Sequence, residues 1–112
     1  MPDPIRVAVI DPYPIFREAV VHTISRADGL SLVAQGGTAA EARAAIRESQ
    51  PDVLIIDISL PEGGMEAVIG IANSCPSCKL AVLTALDDVT SVSRMLAAGV
   101  KGYILKGVSG TE

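Results

Sequence analysis

Four polar residues stand at matching points of the chain, each directly after an apolar run: Asp11 after "RVAVI", Asp57 after "VLII", Thr84 after "LAVL" and Lys106 after "YIL". Together they make a usable chemical set. Carboxylate oxygens suit Mg²⁺, which is held by one or two carboxylates plus waters. A hydroxyl and an ammonium are donors for phosphoryl oxygens. Any one of the four, taken singly, reads better as a cap or turn residue at a strand end. Their recurrence after four separate apolar runs calls for a common cause.

That cause lies in the elements that carry them. Apolar, strand-like runs begin near Ile5, Leu30, Val53, Leu80 and Tyr103, and the segments between them are patterned at helical spacing. The first such segment places Ile15, Phe16, Ala19, Val20 and Ile24 on one face and turns Arg17, Glu18 and His22 elsewhere, so His22 is expected at the surface or boundary. The second opens with "TAAE", a capping box of Thr38 and Glu41, and stops before Pro51, which pushes the preceding Gln50 out of the α region. A third helix should carry Met65, Val68, Ile69 and Ala72 inward. A fourth should start at Asp87 or Asp88, bury Val92, Met95 and Leu96, and end at Gly99.

Strands alternating with helices imply a parallel sheet covered on both faces, because each crossover is right-handed and lays its helix on the sheet. All carboxyl ends then point one way, and ligands bind in the crevice just beyond them. Asp11, Asp57, Thr84 and Lys106 therefore converge. Asp11 ends its apolar run because the crevice begins there.

Composition narrows the function further. The 112 residues fit one domain with no linker, and residues that are 49% apolar but only 3% aromatic require an interior of Ala, Val, Ile and Leu. A net charge of −4 is the wrong sign for gripping phosphate backbones, so this segment is not expected to bind nucleic acid itself. No apolar run approaches the ~20 residues of a membrane span and the N-terminus lacks a signal-peptide layout, which makes a cytoplasmic location the expectation. "CPSC", Cys75 to Cys78, has the spacing of a redox pair or half a zinc site. It precedes a strand rather than opening a helix, and the chain offers one His and no further Cys, so both are read as ordinary loop cysteines.

The chain as a whole resembles the receiver domains of two-component response regulators. "DVLIIDISLP" is similar to the phosphoacceptor strand with Pro61 four residues past Asp57, "LAVLTA" to the switch-threonine strand, and "AAGVKGYILK" to the last strand with its lysine. "DPYPIFREAV" further resembles the NarL/FixJ, LuxR-type branch. The resemblance implies a flavodoxin-like (CheY-like) doubly wound sheet of five parallel strands in the order 2-1-3-4-5. It implies that Asp57 accepts a phosphoryl group from a histidine kinase, with Asp11, Asp57 and the Ser59 backbone carbonyl holding Mg²⁺. Thr84 and Lys106 would engage phosphoryl oxygens, Ala85 would leave room, and Tyr103 would swing inward as Thr84 moves. A helix-turn-helix output domain would lie beyond residue 112 and make the DNA contacts, and a homodimer is expected. Such a domain is a signalling module rather than an enzyme.

The departures define an alternative. Pro12 stands where the family carries a second acid, so Mg²⁺ binding should be weaker. Tyr13 replaces a frequent His, the loop "PEGGME" is one residue shorter than the usual pattern, and Gly107 replaces the usual proline. The alternative is an atypical pseudo-receiver, a dimerisation or binding module that works without phosphorylation. A haloacid-dehalogenase-type phosphatase would need a second Asp where Ser59 stands, and a flavodoxin would need a Ser/Thr-rich loop where "DPYP" stands. Only six residues follow Lys106, so the fifth helix is expected to be missing or truncated, leaving the face shared by helix one and the last strand half bare.

Overall fold

In the computed structural model, residues 3–61, 63–84, 93, 97 and 99–105 are described, with the backbone alone at 84 and 103–105. The elements are β1 (Ile5–Ile10), α1 (Pro14–Arg26), β2 (Leu30–Gly36), α2 (Ala39–Ser49), β3 (Val53–Asp57), α3 (Gly64–Ser74), β4 (Lys79–Thr84) and β5 (Gly102–Leu105). The five strands form one parallel sheet in the order β2-β1-β3-β4-β5, the order the resemblance implies. Of the fourth helix expected between Asp87 and Gly99 only residues 93, 97 and 99 are described, and the segment from Lys106 on falls outside the described residues. Gly99 itself has a φ of +105°, in the left-handed region that suits a helix stop.

Among the described residues both faces of the sheet are packed, the α2 and α3 side by the larger cluster. Ala8, Ile10, Leu54, Ile56, Leu80 and Val82 pack on one side against residues of α2 and α3, including Ala42, Ala45, Val68 and Ile71. On the other side Val7, Val9 and Ile24 form a smaller cluster with half-buried Val20, Val21, Leu30 and Leu32. Successive residues of a strand point to opposite faces, which is why the alternate members of β1 and β3 divide between the two clusters.

Two helix faces differ from the sequence expectation. Ile15 is 85% exposed and Ala19 is exposed, while Val20, Val21 and Ile24 make the packed stripe. Pro14 starts the helix at its first position, and no residue of that first turn is buried. In α3 the buried set is Gly64, Ala67, Val68 and Ile71, with Met65 and Ala72 packed beside it and Ile69 only half-buried. The second helix follows expectation: Thr38 Oγ1 accepts from the Glu41 N–H at 3.0 Å, and Gln50 leaves the helix at φ 47°. Glu41 reaches back to the Gly37 N–H, 3.0 Å away, one residue before the cap.

Candidate functional site

The last paired residues of the two central strands are Ile10 and Ile56. Asp11 and Asp57 each follow directly, so the register sets them side by side at the carboxyl edge. Both are buried, at 0% and 1% exposure. Burying a carboxylate costs free energy unless it is hydrogen-bonded or paired with a cation, so two of them on neighbouring strands mark a place built for positive charge.

Each carboxylate is oriented by the residue two positions on. Asp11 Oδ1 accepts the Tyr13 N–H at 2.8 Å, an Asx turn across Pro12. Asp57 Oδ1 accepts both the Ser59 N–H at 2.6 Å and the Ser59 hydroxyl at 2.5 Å. On β4, Leu83 is level with Asp57, and Thr84 lies one residue further along the same edge, level with Leu105 of β5. The backbone register therefore brings Asp11, Asp57, Ser59 and Thr84 to one end of the sheet. Tyr103 sits within β5, level with Val82. Lys106 and Ala85 lie outside the described residues.

Three contributors were not legible in the sequence. The Ser59 hydroxyl holds Asp57, where only its backbone was expected to take part. Gly64, at the start of α3, has no room for a side chain: a Cβ there would fall 2.2 Å from the Ile58 carbonyl oxygen. Arg17 donates from Nη1 to the Asp11 carbonyl oxygen at 2.9 Å. Two sequence signals bear on these: a glycine after an Asp-containing turn, and the place of Arg17 within "DPYPIFREAV".

The donor set suits a hard divalent cation, since two buried carboxylates and the Ser59 main-chain carbonyl supply only oxygen. Among the described residues no cluster of three or more acidic, His or Cys side chains gathers at one point. The cysteines lie at the opposite end of the sheet, in the turn that leads into β4, where the Cys78 N–H donates to the Cys75 carbonyl at 3.1 Å. Burial, with Cys75 and Asp52 nearby, pushes the Cys78 thiol up to about 11. A thiol held protonated at neutral pH is a poor nucleophile and metal ligand.

A doubly wound sheet with acids at the carboxyl ends of its two central strands is the architecture of a signalling receiver, and comparison with known proteins agrees. The family described as the response regulator receiver domain matches residues 7–112. The chain belongs to that family, in its NarL/FixJ, LuxR-type branch. It is 33% identical over 109 residues to the response regulator GacA of Pseudomonas viridiflava, covering 96% of this chain and 51% of that protein. It is 34% identical over 103 residues to the oxygen regulatory protein NreC of Staphylococcus epidermidis, covering 90% of this chain and 47% of that one. Among solved structures it is similar to the receiver domain of the response regulator NarL from Mycobacterium tuberculosis, with a TM-score of 0.88, 28% identity, and coverage of 99% of this chain and 90% of that chain. The chain spans about half the length of the curated relatives it matches. No helix among the described residues is long and apolar enough to cross a membrane.

Proposed function

We propose that this receiver domain is a phosphoacceptor, taking a phosphoryl group on Asp57 from a histidine kinase in the cytoplasm. The observation that carries the reading is the burial of Asp57 directly beside Asp11 at the carboxyl edge, with one of its oxygens fixed by Ser59. In the transfer, a carboxylate oxygen of Asp57 forms a bond to phosphorus while the bond from phosphorus to the donor's imidazole nitrogen breaks, and the imidazole keeps the electron pair. Asp11, Asp57 and the Ser59 carbonyl would hold Mg²⁺, which when bound neutralises charge on the phosphoryl oxygens. Thr84 and Lys106 are assigned the remaining phosphoryl oxygens, and Tyr103 the role of reporting the movement of Thr84 to the surface.

The output is control of transcription, through a DNA-binding region beyond residue 112 and a homodimer of the receiver. Relatives of about twice this length and the regulatory names they carry support that reading. The decisive experiment uses acetyl phosphate and millimolar Mg²⁺, read by intact mass: the wild type gains one phosphoryl group and Asp57→Asn gains none. Equal labelling of the two removes Asp57 from the mechanism, and labelling of neither favours the pseudo-receiver reading that Pro12 suggests.

A further inference from the structure

Arg17 is half-buried, and among the described residues it forms no ion pair. Its backbone N–H is spent on the Tyr13 carbonyl in the first turn of α1, at 2.9 Å. Its guanidinium turns back over the β1–α1 loop and donates to the main-chain carbonyl of Asp11. Gly37, in the β2–α2 loop, makes that position available: a Cβ there would lie 2.7 Å from Nη1, 3.3 Å from the Asp11 carbonyl oxygen and 3.6 Å from the Pro12 Cα. The φ of Gly37 is not in the left-handed region, so a side chain there would be opposed by the seated guanidinium, a side-chain end that can swing away, rather than by the backbone conformation.

We propose that Arg17, seated against Gly37, is a positioning residue that holds Asp11 ready for Mg²⁺. It rests on the reading of Asp11 and Asp57 as an Mg²⁺-dependent phosphoacceptor site. With one acid where the family carries two, affinity depends more on how well the remaining carboxylate is preorganised. Pro12 and Pro14 fix φ on either side of Tyr13, the Asx turn fixes the Asp11 carboxylate, and Arg17 fixes the Asp11 carbonyl. Groups that orient a metal ligand without touching the metal typically change affinity by roughly 10–100-fold.

The test is a titration of the isotope-labelled protein with MgCl₂, following backbone amide shifts by NMR, for the wild type, Arg17→Ala, Gly37→Ala and the double variant. Melting temperatures in metal-free buffer confirm that each is folded. Arg17→Ala should weaken Mg²⁺ roughly tenfold. Gly37→Ala should weaken it by a similar factor, because its Cβ displaces the guanidinium. The double variant should be no more than about twofold weaker than Arg17→Ala alone, since the guanidinium that the methyl would displace is already gone and the next neighbour, the Asp11 carbonyl oxygen, lies 3.3 Å away. A general loosening of the fold would instead give losses that multiply. A folded Arg17→Ala that binds Mg²⁺ as the wild type does, multiplicative losses, or a wild type with no saturable shifts would each overturn the proposal. A wild type that binds Mg²⁺ but takes no phosphoryl group removes the phosphoacceptor reading and leaves the Arg17 comparison standing.

Discussion

Pro12 changes the site in two opposing ways. It offers no carboxylate beside Asp11 for the proposed Mg²⁺ site, and it stiffens the loop that carries Asp11. If charge dominates, Pro12→Asp should tighten Mg²⁺ roughly tenfold, which requires a net gain of only about 1.4 kcal/mol. The same substitution gives up the proline's restriction of the unfolded chain, about 0.4–1 kcal/mol of stability. Metal titration and thermal melting of the variant should therefore move in opposite directions, tighter binding with a slightly lower Tm. Unchanged affinity would mean that another oxygen already occupies the place of the missing acid. Asp11 and Asp57 could be found from sequence because a charged residue after an apolar run is conspicuous and a parallel sheet aligns its ends. The contact of Arg17 could not, although the residue lies within "DPYPIFREAV": its partner is a main-chain carbonyl, which no side-chain pattern announces.

The elements hold the site through their first turns. Gly64 opens α3 against the carbonyl of Ile58, the residue between Asp57 and Ser59, and Gly70 lies two turns further on with nothing within 4 Å of its would-be Cβ. Gly64→Ala drives a methyl into main chain that cannot step aside, and should cost roughly 1–3 kcal/mol or more. Gly70→Ala should stabilise the helix by about 0.5–1 kcal/mol. Denaturant midpoints of the two variants should thus shift in opposite directions, and a Gly64→Ala as stable as the wild type would show that α3 does not fix the loop after Asp57. Element order and most boundaries were legible, because capping and helix-breaking chemistry at Thr38, Glu41 and Pro51 is local. The inward face of α1 was legible only in part: Val20 and Ile24 pack as their spacing indicates, while Ile15 and Ala19 satisfy the same spacing and are exposed.

At the scale of the whole molecule, consecutive residues of β3 sample the two sides of the sheet, of which the α2 and α3 side carries the larger cluster among the described residues. Ile56 is fully buried among α2 and α3. Ile55 is half-buried and, with Val20, Ile24, Ala81 and Leu83, lines an apolar groove of about 330 Å³ between α1 and the sheet. Removing a fully packed Ile costs the transfer of its carbons plus the cavity left behind, about 2–5 kcal/mol for Ile56→Ala. At Ile55 part of the side chain already faces open space, so the same truncation gives up less transfer energy and creates little new cavity, and should cost about 1–2 kcal/mol. Urea unfolding at low micromolar protein should rank the two variants in that order. Equal losses at that dilution would show the α1 side to be as well covered as the other. If the homodimer forms over this groove, the Ile55→Ala penalty should grow with protein concentration, because association with a second copy stabilises the folded state by mass action, while the Ile56→Ala penalty stays constant. A concentration-independent penalty at Ile55 would place the dimer contact elsewhere on the surface.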